Sequence, residues 1–270
     1  MPDVETKPHL SPSQLGMFFR CAEQYRRRYI CGEKVPPGIA LVIGSSVHKC
    51  VEADMRSKLE TKELLKDKEI KSKAHDFATT ELAGELFLTD DEQSDEKKLK
   101  KAVEKMVITL AVCHHKELAP KIEPNKVEEA VRLRLTNYPF DIEARLDLRD
   151  SLGVIHDLKT AGRSPSQQEA DTNTGLTIYH WASSIIGPPH VDTVVLDALI
   201  KTKKPKIVTL NSTRSEEDYK VILRKAVQAW ESIQKQVFTP CEPGHWLCNP
   251  KYCGYYPTCK YVSQTHRPKT

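Results

Sequence analysis

Nowhere does the sequence hold a run near the roughly 20 apolar residues that a membrane-spanning helix needs. Its N-terminus also lacks the apolar core of a secretory signal, so a soluble, cytoplasmic protein is expected, with no membrane partner. Neither sign of charge dominates. Against 37 acidic residues stand 41 basic ones, a formal charge of +4, which permits a nucleic-acid partner without requiring one. There is no internal repeat, and so no tandem array. With 270 residues the chain can build one sizeable core, or one core with a smaller appended lobe.

Cysteine, in contrast, is plentiful and unevenly placed. Of the eight, Cys241, Cys248, Cys253 and Cys259 fall within 19 residues. Without a secretion signal, such a cluster reads first as metal binding and only second as a disulfide framework.

Residues 1–9 read as a loose leader. Ser11-Pro12 then supplies a helix cap with proline at the first helical position. One helix is expected from there to about residue 33, carrying Arg20, Arg26 and Arg27 among Phe18, Phe19, Tyr25 and Tyr29. That basic and aromatic mixture suits contact with a DNA backbone, and equally suits a solvated face of an amphipathic helix. After Pro36-Pro37-Gly38 a short apolar segment enters a helix capped near Ser45 or Ser46, with His48 in its first turns. Further charged helices fill a mainly helical insertion over residues 52–120.

The texture changes after Pro124. KVEEAVRLRL, FDIEARLDLRD and GVIHDLKT alternate with period two and are separated by turn residues, as neighbouring antiparallel strands would be. In the second, Ile142, Ala144, Leu146 and Leu148 share one face, opposite Glu143, Arg145 and Asp147. A polar loop leads to the helix-like GLTIYHWASSII. Two more strands follow, and then a long helix capped at Ser215 with Glu217 and Asp218 in its first turn. The order defines a mixed α/β domain.

Asp147 and Asp157 on adjacent strands place two carboxylates within reach of one divalent ion, and hard oxygen ligands suit Mg²⁺ or Mn²⁺. Lys159, two residues beyond Asp157 on a strand, shares its face and can hold positive charge near an attacking water or a scissile phosphate. An Asp-x-Lys pair by itself is usually a surface ion pair. Its setting, after a strand ending in Asp147 and a short turn, points to a hydrolytic site instead.

Asp147 followed by HDLKT resembles the core of the PD-(D/E)XK nuclease superfamily, and within it the RecB-like and Cas4-like exonuclease branch. GSSVH is similar to that branch's Gly-x-x-x-His segment, and SPSQLGMFFRCAEQYRRRY to its N-terminal Ser-x-Ser-x-Leu and Cys-x-x-x-Tyr segment. LTIYHWA resembles its Gln-Leu-x-x-Tyr helix, with Gly175 where the glutamine usually stands. The resemblance runs from residue 11 to residue 259. It implies a restriction-endonuclease-like α/β core, with a mixed central sheet flanked by helices, making one nuclease domain of residues 1–270. It also implies His48, Asp147 and Asp157 as metal ligands, Lys159 as a catalytic residue and Tyr179 as a supporting or DNA-contacting one. Glu52, Glu128 and Glu129 are additional acidic candidates, and alternation does not decide between the last two.

The cysteines admit three readings: zinc held by Cys241, Cys248, Cys253 and Cys259, an iron–sulfur cluster, or reduced structural thiols. The resemblance implies a [4Fe-4S] cluster on Cys21, Cys248, Cys253 and Cys259, tying the chain ends together. The activity it implies is Mg²⁺- or Mn²⁺-dependent exonucleolytic hydrolysis of single-stranded DNA or duplex ends, leaving 5′-phosphates. The alternatives are a nicking or restriction-type endonuclease and a non-catalytic DNA-binding subunit. Recombination or repair proteins of a microbe or phage-infected cell are the partners it suggests.

Overall fold

The computed structural model describes residues 7–262 apart from 186, 190 and 243. Its elements in chain order are β1 (His9–Leu10), α1 (Pro12–Arg20), α2 (Ala22–Tyr25), α3 (Ile39–Thr61), α4 (Asp67–Leu82), α5 (Asp90–Gln93) and α6 (Glu96–Glu117). Then come β2 (Pro124–Leu133), β3 (Asp141–Asp150), β4 (Ile155–Ala161), α7 (Gln167–Asp171), α8 (Thr174–Ser183), β5 (Thr193–Ile200), β6 (Lys206–Thr213) and α9 (Glu216–Gln234). The expected α/β core with a mixed sheet flanked by helices is present.

The six strands form one sheet in the order β1-β3-β4-β5-β6, with β2 also paired to β3. β2, β3 and β4 run antiparallel in succession, as their alternation predicts. β4 and β5 are parallel, with α7 and α8 in the crossover between them, and β6 returns antiparallel to β5. From Val194 to Ile200 every residue of β5 is buried, as befits a strand covered on both faces. One face meets α1, α8 and α9, where Leu176, Ile178, Ile155, Leu146 and Leu196 interlock. On the other face lie α3, α4 and α6, whose Val42, Val47, Val107 and Leu110 close over Leu158 and Leu199. Burial of each such side chain contributes about 1.5–3 kcal/mol.

Three local expectations are corrected. The described end of the leader is tied to the sheet: β1 pairs parallel with Asp141 and Ile142, and Lys7 Nζ donates to the carbonyls of Leu135 and Tyr138 at 2.9 and 3.0 Å. The helix after Ser11, which is capped as expected through a box with Gln14, breaks at Cys21. There the backbone is extended, and after α2 the chain tightens into a π-helical turn over Arg26–Ile30. Finally, α3 begins at Ile39 behind Gly38, so His48 lies in its third turn and Ser46 is a buried interior residue. The apolar IALVI run, expected as a segment leading into the helix, forms its first turn and packs against α4 and α6.

Candidate active site

The strands and α3 bring His48 and Asp147 together, while Asp157, expected as a third ligand, lies outside the close group of ligand atoms and pairs with Lys159. α3 places His48 Nδ1 3.7 Å from Asp147 Oδ2. The same oxygen accepts the Leu158 backbone N–H at 2.9 Å, which ties the end of β3 to β4. On β4, Lys159 Nζ donates to Asp157 Oδ1 at 2.7 Å, the same-face pairing that two-residue strand spacing dictates.

Glu128 completes the group. Its φ of +53° marks an irregularity in β2, which delivers its carboxylate to the site. His48, Glu128 and Asp147 each offer a ligand atom within 4.8 Å of the others, the one such group of three or more His, Cys, Asp or Glu among the described residues. One imidazole and two carboxylates suit a divalent cation such as Mn²⁺ or Mg²⁺. Glu129 is not part of this group, and its Oε2 is buried without a hydrogen-bond partner. Glu52, one turn after His48, pairs with Arg56 at 2.9 Å and lines the same small cavity, of about 20 Å³, as His48, Glu128 and Asp147.

Electrostatics follow from crowding negative charge in a half-closed space. Burial, and then the charges of Asp147 and Glu52, pushes the Glu128 carboxyl up to about 7. Burial likewise raises Asp157, only 1% exposed, to about 6, with Lys159 opposing and Asp147 adding to the rise. Burial lowers His48, favouring the neutral imidazole that a metal ligand must be, although Asp147 opposes it. For Lys159, burial pulls down but Asp157 and Asp147 outweigh it, so the ammonium stays charged. Tyr179 on α8 is raised by burial and then by Asp157, Asp147 and Glu128, so its hydroxyl remains protonated beside the carboxylates. A Cβ at Gly175 would lie 3.1 Å from Oδ1 of Asn173, the cap of α8, and 3.7 Å from the Tyr179 ring.

Sequence reading missed the layer behind these groups. His156 Nδ1 is 2.8 Å from Asp197 Oδ2, and its Nε2 is 3.7 Å from Asp150. Burial works against its charge, yet the two carboxylates raise it to about 9. Thr209 Oγ1 donates to the other Asp197 oxygen at 2.6 Å. His114 from α6 is buried beside them and pushed down to about 4, first by burial. A signal was available: an aspartate inside the apolar run VVLDALI is a buried charge that needs a partner.

The three arginines proposed to grip DNA have different surroundings. Arg26 makes a bidentate pair with Glu23 at 2.7 and 2.8 Å, and Arg27 is held by Glu33, Thr258 and the Tyr255 carbonyl. Arg20 is exposed at the end of α1.

Far along the chain, Cys21, Cys241, Cys248, Cys253 and Cys259 line one cavity of about 260 Å³. The break between α1 and α2 is what presents Cys21 to it, and Cys241 N donates to Cys21 Sγ at 3.3 Å. Gln24 Nε2 donates to Cys253 Sγ at 3.1 Å. Burial, and then the neighbouring cysteines, raises both Cys241 and Cys248, so the thiolates need a cationic centre to coexist. Tetrahedral zinc with Zn–S near 2.3 Å would draw sulfurs to about 3.8 Å of one another. No three of these sulfurs lie within 4.8 Å of each other. The donor set of cysteines fits a soft metal centre.

This sheet and α3 carry a His–Glu–Asp group that could hold a metal ion, beside an Asp-x-Lys strand. The sequence matches the PD-(D/E)XK nuclease superfamily over residues 9–260, and the chain belongs to that superfamily. Nuclease-type hydrolysis of DNA is the activity that goes with it. Among solved structures, a protein from Eubacterium rectale named as a candidate exonuclease superposes with a TM-score of 0.59 at 13% identity, covering 97% of this chain and 91% of the other. A second, SSO0001, gives a TM-score of 0.43 at 14% identity, covering 97% and 90%. No curated protein sequence matches the chain.

Proposed function

We propose that this protein is a Mg²⁺- or Mn²⁺-dependent exonuclease of the RecB-like and Cas4-like branch, acting on single-stranded DNA or duplex ends and leaving 5′-phosphates. Residues 1–270 are read as one nuclease domain. The observation that carries the reading is the convergence of His48, Glu128 and Asp147 within 4.8 Å, beside an Asp157–Lys159 pair at 2.7 Å.

His48, Glu128 and Asp147 would hold the ion, with Asp157 beside them. A bound divalent ion lowers the pKa of water and stabilises charge on phosphate oxygens. Lys159 is charged and keeps its ammonium at the carboxylate edge, where it orients an attacking water and favours the pentacovalent phosphate's negative charge. The protonated Tyr179 hydroxyl is a donor available to a phosphate or base at the rim. Leu158 N–H holds Asp147 in place throughout. Of the arginines, exposed Arg20 is kept as a phosphate contact, while Arg26 and Arg27 brace the N-terminal segment.

The cysteine cavity is proposed to hold a [4Fe-4S] cluster on Cys21, Cys248, Cys253 and Cys259. Its role is structural, joining residue 21 to the C-terminal lobe. Assay of iron, acid-labile sulfide and zinc in anaerobically purified protein decides between cluster and zinc.

The test of activity uses that protein on end-labelled linear DNA and on covalently closed circles, with Mg²⁺, Mn²⁺ or EDTA, comparing wild type with Lys159→Ala. Metal-dependent nucleotide release from linear DNA by wild type alone is expected. Cutting of the closed circle would make the enzyme an endonuclease, and no cleavage of either by folded, metal-supplied wild type would remove the reading.

A further inference from the structure

The C-terminal lobe sorts its aromatic residues in two directions. Tyr255 and Tyr256 point inward, 8% and 9% exposed, whereas Trp246, Tyr252 and Tyr261 are 64%, 52% and 49% exposed. The outward rings are not scattered singly. Trp246 meets Tyr252 edge to face at 5.3 Å between centroids, and His245 stacks on Trp246 at 6.0 Å. Lysines flank them: Lys251 Nζ lies 5.9 Å from the Tyr252 ring centroid, and Lys260 Nζ lies 4.9 Å from that of Tyr261. Residues 244–262 contain these two lysines and no aspartate or glutamate, in a chain where acidic residues nearly balance basic ones.

From this we infer that residues 244–262 form a stacking platform for single-stranded DNA, with Trp246 and Tyr252 taking bases and Lys251 and Lys260 attending the phosphates. The inference rests on the proposed function in taking DNA as the substrate. Exposed rings beside cations, on a segment that itself carries no carboxylate between residues 244 and 262, match what unpaired nucleotides offer, since every base has a face to stack. A duplex keeps its bases stacked on one another and cannot use the rings. The platform is also held firmly. Tyr255 OH donates to the Glu33 carbonyl at 2.6 Å, Arg27 Nη1 donates to the Tyr255 carbonyl at 3.2 Å, and Gly254 abuts Val35. A ring on a fixed support loses little freedom when a base lands on it.

The experiment titrates the full-length protein with oligo-dT in EDTA, following tryptophan emission and, separately, anisotropy of labelled oligo-dT. Quenching is expected for wild type. Trp246→Ala should weaken binding by about 5- to 150-fold, the range of one base–aromatic stack, and Tyr252→Ala by a smaller factor in the same direction. Trp246→Phe should keep most of the affinity and lose most of the quenching, which locates the stacked base on that ring. Thermal melts establish that each variant is folded. Unchanged oligo-dT affinity in both alanine variants overturns the platform. So does loss of self-association in Trp246→Ala at unchanged DNA affinity, which would make the rings a protein contact. Hydrolysis of bis-p-nitrophenyl phosphate by wild type with Mn²⁺, a diester too small to span two sites, tests the nuclease reading separately. Its absence, with Trp246-dependent DNA binding intact, would leave the platform and remove the enzyme.

Discussion

Asp147 and Leu158 are joined by a hydrogen bond from the Leu158 backbone N–H to Asp147 Oδ2, 2.9 Å long. A backbone donor that a neighbouring strand would ordinarily pair is used instead to hold a metal-site carboxylate. Asp157, one residue earlier, is buried at a cost, as its raised pKa records. The two aspartates therefore differ in what they do for the fold.

Asp147→Ala should lower stability by about 1–3 kcal/mol, because the buried Leu158 N–H loses its acceptor. Asp157→Asn should raise the stability of the metal-free protein above pH 7 by removing a poorly solvated charge. Both should reduce DNA cleavage at least about 100-fold. Urea melts in EDTA alongside cleavage assays check this, and two variants destabilised alike would contradict it.

Divalent-ion binding should strengthen as pH rises. Glu128 titrates near 7 and Asp157 near 6 in the metal-free protein, so below those values the ion must displace protons. Calorimetric titration with Mn²⁺ in buffers of different ionisation enthalpy should show proton release near pH 6.5 and little above pH 8. Glu128→Gln should bind Mn²⁺ more weakly and flatten the dependence between pH 6 and 8. A pH-independent affinity in wild type would exclude this arrangement.

His156 gives a stability profile of definite sign. Its folded pKa, about 9, lies above the ordinary value of 6.5. The stabilisation from its ion pairs is therefore complete below about pH 6.5 and is lost as pH rises through 9, on the order of 3 kcal/mol in all. His156→Gln should remove that slope. Denaturant melts of metal-free protein from pH 6 to 9.5 measure it, and an identical slope in the variant would assign it elsewhere.

Gly254 has no room for a side chain. A Cβ there would lie 2.2 Å from Val35 Cγ1 and 3.2 Å from its Cβ, and valine has few rotamers with which to yield. Gly254→Ala should destabilise the lobe by about 1–3 kcal/mol. Adding Val35→Ala should restore much of it. Limited proteolysis near residue 250 reads the effect, and equal cleavage in the single and double variants would argue against a direct clash.

Much of this was legible in the sequence because it is local. Asp157 and Lys159 meet because a strand repeats every two residues, and α9 is marked by its Ser215–Asp218 capping box. What needed the structure depends on distant segments. Alternation could not choose Glu128 over Glu129, because an irregular strand moved the carboxylate. Nor could it foresee that β1, only two residues long, would pair with residues 141–142. Arg26 and Arg27, which in the sequence suit a DNA backbone or a solvated face, are paired with Glu23 and Glu33.

The extended backbone at Cys21 has a consequence for the order in which the protein is made. Ala22 N bonds the Thr239 carbonyl at 3.0 Å, Cys241 N bonds Cys21 Sγ, and Arg27 reaches the Tyr255 carbonyl. Cys21, Ala22 and Arg27 thus wait for more than 200 further residues before these partners are synthesised. Until then α1 and α2 must remain undocked along this edge, and a nascent chain cut short before residue 239 would leave the amide of Ala22 and the guanidinium of Arg27 without these acceptors.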